Sequence, residues 1–66
     1  MKTSIVTLTQ ARARAKVLHA SGYSAPVELA LCAYDVVTDQ FPESDVKLLG
    51  NARQALARGE FEFTIN

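Results

Sequence analysis

The fold is decided by residues 24–39, SAPVELALCAYDVVTD, which contain the longest apolar run in the chain. Ser24 has a side chain suited to an N-cap, and Pro26 fits the first helical turn, where its missing N–H costs nothing. The apolar residues recur at helical spacing on two neighbouring faces. One face carries Val27, Ala30, Leu31, Tyr34 and Val37, and the other carries Leu29, Ala33 and Val36. A helix that is apolar around most of its circumference is usually buried, so we predict a buried central helix around which the other elements pack.

The polar residues of this helix lie along one edge. Glu28, Asp35 and Asp39 follow one another there, with Cys32 between them. These acids are candidates for binding a partner, because carboxylates can take the place of nucleic-acid phosphates on a basic protein surface. The alternative is a solvated helix edge that binds nothing. Acidic neighbours raise the pKa of a thiol, so we expect Cys32 to be buried and inert.

The segment before this helix predicts a strand and a first helix. Residues 2–8, KTSIVTL, are rich in β-branched residues, which favours a short strand. Thr7 and Gln10 have the spacing of a capping box, with Thr9 as a competing cap, and a helix is expected over residues 10–20. Its apolar stripe consists of Ala11, Ala15 and Leu18. Its basic stripe, a candidate for contact with an acidic partner, consists of Arg12, Lys16 and His19.

The last third of the chain predicts a third helix and a second strand. Ser44 is a candidate cap for a helix over residues 45–58. Gly50 either lets another backbone come close or breaks this helix at Gly50-Asn51, and the sequence leaves both open. Residues 60–65, EFEFTI, alternate between apolar and polar, which is the pattern of a half-buried strand.

These elements predict an α+β fold of the order β-α-α-α-β, in which the two terminal strands form a small antiparallel sheet. The strands could pair within one chain or between two copies. The 66 residues make a single domain, which at this size buries only ~60% of the surface of its unfolded chain. Small domains often need disulfides, a metal or association to compensate. Cys32 is the only cysteine, so no disulfide can form within the chain. Association with another chain (a homodimer included) or unusually good packing could supply the missing stability instead.

The charges cancel in total but are sorted along the chain. Residues 1–24 contain four basic residues and no acid, whereas residues 25–46 contain five acids and no base. This arrangement predicts a surface of two signs. The two charged regions could bind a basic and an acidic partner. Alternatively, the charges could form ion pairs between neighbouring helices, each of which stabilises the fold by ~0–1 kcal/mol.

No set of residues typical of an enzyme is recognisable. His19 is the only histidine, and no nucleophile and orienting group can be placed around it. Cys32 and His19 are too few for a structural zinc site, which needs four ligands. We therefore expect no catalysis, no metal and no cofactor. No apolar run approaches the ~18 residues of a membrane span, and a lone buried cysteine suits the reducing cytoplasm.

The segment from residue 2 to about residue 39 resembles the ribbon-helix-helix repressors and antitoxins. A short strand precedes a helix with Arg12, Arg14 and Lys16, and Gly22-Tyr23-Ser24 occupies the place of the family's G-x-S element between two helices. The resemblance implies a dimer whose paired strands enter the DNA major groove, while the amide end of the second helix holds a phosphate. The DNA-contacting residues that it implies are Lys2, Thr3, Ile5, Thr7, Arg12 and Ser24.

Protein binding is the function that we expect. The chain is small, sorted in charge and ends in an alternating apolar strand, and such a strand can dimerise or add to a partner's sheet. It falls in the size class of phage and mobile-element inhibitors of nucleic-acid-handling complexes, which includes the anti-CRISPR proteins. We therefore predict a non-enzymatic regulator or inhibitor, with a dimeric ribbon-helix-helix DNA-binding protein as the alternative.

Overall fold

The chain forms three helices and three strands, as a computed structural model of residues 1–66 shows. In chain order these are β1 (Lys2–Thr7), α1 (Leu8–Leu18), α2 (Pro26–Gln40), β2 (Val46–Leu48), α3 (Ala52–Arg58) and β3 (Glu60–Ile65). The strands form one antiparallel sheet in the order β1-β3-β2. The predicted α+β class is confirmed, and so is the pairing of the terminal strands, which takes place within one chain.

The sheet has one covered and one open face. Along β3, Phe61, Phe63 and Ile65 are buried and the residues between them are half-buried, as the alternating pattern predicts. The helix α2 contacts all three strands and also contacts α1 and α3. The opposite face of the sheet is open, and the β1 residues Thr3, Ile5 and Thr7 are exposed. The core therefore lies between a single layer of helices and one face of the sheet.

The predicted third helix is wrong over its first half. Residues Val46–Leu48 form β2, which pairs with β3 from Val46↔Ile65 to Leu48↔Phe63. The chain turns at Gly50, whose φ is +76°, and α3 begins after Asn51, whose side chain accepts a hydrogen bond of 2.9 Å from the amide of Gln54. The open edge of β3 offers backbone hydrogen-bond partners to Val46–Leu48 in an extended conformation, and Val46 becomes buried there. The break at Gly50-Asn51 is thus the correct alternative.

The prediction that the central helix is buried around most of its circumference is also wrong. Leu29, Cys32, Ala33 and Val37 of α2 are fully buried, but an outer stripe of apolar residues is exposed. A helix that lies in a single outer layer has protein beneath it and at its sides only, so its outer face remains in solvent. The stripe consists of Val27, Leu31 and Tyr34.

The start of α2 differs from the prediction as well. The N-cap is Ala25, in an extended conformation, and no side chain accepts a hydrogen bond from the first turn. Ser24 lies one residue too early to cap, because Pro26 is already the first helical residue. The helix ends at Gln40, one residue later than expected.

The capping box of α1 is confirmed. The Thr7 hydroxyl accepts from the amide of Gln10 at 3.1 Å, and the Gln10 side chain accepts from the amide of Thr7 at 2.9 Å. The helix therefore begins at Leu8, directly after β1, and it ends at Leu18 rather than at residue 20. Ala11 and Ala15 are fully buried as predicted, whereas Leu18 is 56% exposed and does not belong to the core.

Gly59 links α3 to the central strand in a left-handed conformation. Its φ is +82°, its amide donates to the carbonyls of Ala55 and Leu56 at 3.0 and 3.1 Å, and its own carbonyl accepts from Leu8 at 2.8 Å. An added Cβ would meet no atom within 4 Å, so a substitution there changes only the conformational energy.

We expect Gly59→Ala to lower the free energy of unfolding by ~1–2 kcal/mol, because an L-residue with a Cβ pays that penalty in the left-handed region. Asparagine tolerates this region, so Gly59→Asn should cost less. Urea unfolding followed by circular dichroism measures both. Equal stability of the alanine variant and the wild type would show that the left-handed turn is not needed.

Candidate functional site

Arg14 joins α1 to the acidic edge of α2. Its Nη1 lies 2.7 Å from Oδ2 of Asp35 and 2.8 Å from Oδ2 of Asp39. The hydrogen bond to Asp39 is the main cause that raises the pKa of Arg14 above its usual value, against a smaller opposing effect of desolvation. Asp35 and Asp39 of the predicted acidic edge thus form ion pairs within the chain. This is the alternative in which the sorted charges pair between neighbouring helices. The charge sorting was the signal for this contact, but nothing in the spacing singled out Arg14 from the other basic residues.

The basic stripe lies on a flank of α1 that is open to solvent. Arg12, Lys16 and His19 are all exposed, and neither Arg12 nor Lys16 forms an ion pair. His19 is held by local contacts: its Nδ1 lies 2.9 Å from Oγ of Ser21, and its ring centroid lies 5.2 Å from that of Tyr23. The structure therefore places Arg12 and Lys16 on α1 and His19 at its C-cap, and none of the three pairs with an acidic residue.

A groove separates the end of α1 from the middle of α2. It has a volume of about 350 Å³ and is lined by Leu18, Tyr23, Glu28, Leu31, Cys32 and Asp35. Leu18 and Leu31 are more than half exposed, whereas Cys32 is only 2% exposed. Glu28 is exposed and forms no ion pair. The groove is thus mainly apolar, with two carboxylates among its lining groups.

Exposed apolar side chains continue from this groove over the outside of α2. Val27, Leu31 and Tyr34 follow one another at spacings of four and three residues and are 64%, 63% and 41% exposed. Together with Leu18 they form what we call the apolar surface. Sequence reasoning found the three α2 residues but assigned them to the core, because exposed and buried apolar stripes have the same spacing. The apolar surface includes none of the residues predicted to bind a partner, but Glu28 and Asp35 adjoin it in the groove.

Cys32 is buried, as predicted. Its pKa is raised above its ordinary value by burial first, and then by Asp35 and Glu28, while Arg14 opposes the shift. The thiol is therefore protonated at neutral pH, and the thiolate that would act as a nucleophile or metal ligand is disfavoured.

The raised thiol pKa predicts a pH dependence of stability. The folded state holds the Cys32 proton more tightly than the unfolded chain, so this stabilisation is complete below the pKa of the unfolded thiol, ~8.5, and is lost as the pH rises through the folded value. We expect the free energy of unfolding to fall above about pH 8.5 more steeply for the wild type than for Cys32→Ala. Urea unfolding at a series of pH values measures it, and parallel pH profiles would contradict the prediction.

The residues implied for DNA contact are divided among four places. Thr3, Ile5 and Thr7 lie on the open face of the sheet, while Lys2 has its Nζ 5.8 Å from the centroid of the Phe41 ring. Arg12 belongs to the basic stripe, and Ser24 precedes α2 without capping it. One edge of β1 is paired with β3 over its whole length, and its other edge has no partner strand.

No three His, Cys, Asp or Glu side chains lie close enough together to hold a metal ion. No helix has the length and apolar character needed to cross a membrane. The chain matches no protein-family model, no curated protein and no solved structure.

Proposed function

We propose that this chain is a non-enzymatic regulatory protein of the cytoplasm that acts by binding another protein. The observation that carries the proposal is the apolar surface formed by Leu18, Val27, Leu31 and Tyr34, which adjoins the groove. Single exposed apolar residues are ordinary, whereas a contiguous set with polar residues at its border is characteristic of an interaction site. An unpartnered apolar helix face is also the surface on which a partner's helix or loop can dock.

The acidic residues beside the apolar surface favour a basic partner. Glu28, Asp35 and Asp39 lie along one side of α2; Arg14 pairs with the two aspartates, and Glu28 forms no ion pair. A proteinaceous inhibitor of a nucleic-acid-handling complex, of the kind found in phages and mobile elements, would present such carboxylates to residues that otherwise bind phosphates. We propose that the target belongs to such a complex.

The proposal is tested by capture with matched surface variants. The wild type, Leu31→Asp and Val17→Asp are immobilised and incubated with bacterial lysate, and retained proteins are quantified by mass spectrometry. Val17 is 79% exposed but belongs neither to the groove nor to the apolar surface, so its variant controls for the added charge. We expect a specific partner to be retained by the wild type and Val17→Asp, and to be reduced at least ~10-fold by Leu31→Asp, since central apolar anchors dominate interface energies.

The comparison is valid when circular dichroism shows that all three proteins keep the same helix content and thermal midpoint. A set of retained proteins that is indifferent to Leu31→Asp would overturn the proposed role of the apolar surface.

A ribbon-helix-helix DNA-binding protein is the second candidate, and the unpaired outer edge of β1 favours it. Two copies joined along this edge would present Thr3, Ile5 and Thr7 of both chains on one continuous sheet face, as β-ribbon readers of DNA do.

Molar mass in solution separates the two candidates. We expect a monomer at micromolar concentration, because β3 already supplies β1 with a partner strand in the same chain. Size-exclusion chromatography with light scattering over a dilution series measures the mass. A dimer that persists on dilution, together with salt-dependent DNA binding that is lost in Ile5→Asp, would favour the second candidate instead.

A further inference from the structure

We propose that the groove between α1 and α2 takes an arginine side chain supplied by an amphipathic helix of the partner. This inference rests on the proposed function, because it names the group that docks beside the apolar surface. It follows from the shape of the groove, its charge and its one aromatic residue.

The size and lining of the groove match a long side chain. A volume of about 350 Å³ is at the lower end of the ~300–1,000 Å³ typical of small-molecule sites. Leu18 and Leu31 offer aliphatic contact, and the buried Cys32 lies between the two helices as the least exposed lining residue. An aliphatic stem with a polar end suits such a site, because arginine and lysine bury their methylene groups along apolar surface while their charge stays near solvent.

The charge of the groove favours a cationic polar end. Glu28 and Asp35 both line the groove, and no basic residue lines it. Asp35 uses Oδ2 for Arg14, which leaves its other oxygen free, and Glu28 has no ion-pair partner. The two carboxylates are seven residues apart on α2, so they lie about two turns from each other on one side of the helix. A cation that enters between Leu18 and Leu31 is attracted chiefly by Glu28, because Asp35 is already paired with Arg14.

Arginine fits better than lysine for two reasons. Its planar guanidinium offers five donors, which can engage a carboxylate through two parallel hydrogen bonds. It also stacks on aromatic rings, and Tyr23 lines the groove. The neighbouring stripe of Val27, Leu31 and Tyr34 then supplies contacts at the spacing at which apolar residues recur on a partner helix.

The test is a titration of the isotope-labelled protein with two blocked helical peptides, followed by nuclear magnetic resonance. Both peptides carry three leucines on one face, and they differ only in having arginine or the uncharged isostere citrulline on that face. We expect the methyl signals of Leu18 and Leu31 to shift and the arginine peptide to bind about 10-fold more tightly, as expected for a charge-assisted hydrogen bond.

Two variants of the protein locate the effect. In Glu28→Gln the preference for arginine should fall to about threefold or less, because a neutral amide replaces one of the two carboxylates. In Glu43→Gln, which removes an exposed carboxylate that does not line the groove, the preference should remain unchanged. A lysine peptide should bind less tightly than the arginine peptide.

Each contrary result overturns the inference in a recognisable way. If the arginine and citrulline peptides bind equally and shift the signals of Leu18 and Leu31, the apolar surface is a docking site but the groove does not select arginine. If neither peptide binds while Leu31→Asp still abolishes capture of a partner, the proposed function stands. The inference that the partner supplies an arginine on a helix is then wrong. A preference for arginine that survives Glu28→Gln would place the cation elsewhere. If capture is indifferent to Leu31→Asp, the proposed function itself fails.

Discussion

Phe61→Ala is expected to remove a third or more of the free energy of unfolding of the protein. Phe61 is fully buried in the central strand β3, opposite Val6 of β1, and it is among the largest side chains in the core. Truncation of a buried phenylalanine costs ~3–5 kcal/mol, because the lost apolar contacts add to the cavity that is left. A domain of this size has a total stability of only ~3–10 kcal/mol.

Far-UV circular dichroism and urea unfolding measure this effect. Phe61→Leu keeps most of the volume and should cost less than ~1.5 kcal/mol, which distinguishes the cavity from the loss of an aromatic ring. Val17→Ala, at a residue 79% exposed, should change stability by less than ~0.5 kcal/mol. A Phe61→Ala variant as stable as the wild type would mean that the helical layer and the sheet do not share the core described here.

Ala15→Leu is expected to destabilise the contact between α1 and α2. Ala15 is fully buried in α1, which packs against α2, so the three further carbon atoms of leucine would have to be accommodated inside the core. Overpacking of this kind costs ~1–3 kcal/mol, since side chains must leave their preferred rotamers or the helices must move apart. Movement of α1 would also lengthen the distances from Arg14 to Asp35 and Asp39.

Ala13→Leu is the matched control, because it makes the same chemical change on the same helix at an exposed position. Alanine and leucine both favour helices, so this variant should stay within ~0.5 kcal/mol of the wild type. Thermal unfolding of the two variants in parallel tests the prediction. Equal midpoints for both would show that the two helices have room between them and that close packing of small residues does not hold them.

Local patterns predicted the features whose signal and structure lie in the same segment. The alternation of residues 60–65 identified a half-buried strand because side chains on a strand point to opposite faces. The capping box at Thr7 and Gln10 was also predicted correctly, since its two hydrogen bonds join residues only three positions apart. Neither prediction depends on what the rest of the chain does.

The missed strand β2 depends on a distant partner. Its three residues are too few to show a period, and their neighbours Leu49, Ala52 and Leu56 complete a convincing helical stripe. Only the presence of β3, whose edge pairs with Val46–Leu48, makes the extended conformation favourable. A prediction from sequence would have had to weigh that non-local pairing against the helical pattern, with Gly50 as its one local clue.

The orientation of α2 was predicted wrongly because its acidic edge was taken as the side in solvent. Asp35 and Asp39 instead turn towards α1, where Arg14 binds both. Rotating the helix in this way leaves the stripe that begins at Val27 on the outside. Which apolar residues of α2 form the core and which form the apolar surface is therefore set by how α2 packs against the two other helices and the sheet, and no pattern within α2 reveals it.

The central place of β3 also affects how the protein can fold during its synthesis. Of the three strands, β3 leaves the ribosome last, yet both other strands pair only with it. A nascent chain can form α1 and α2 early, but its sheet has no hydrogen-bonded pair of strands until β3 is available. Long-range pairing of this kind slows folding and exposes unpaired strands meanwhile. The growing chain therefore leaves β1 and the apolar side of α2 exposed until β3 arrives and closes the core.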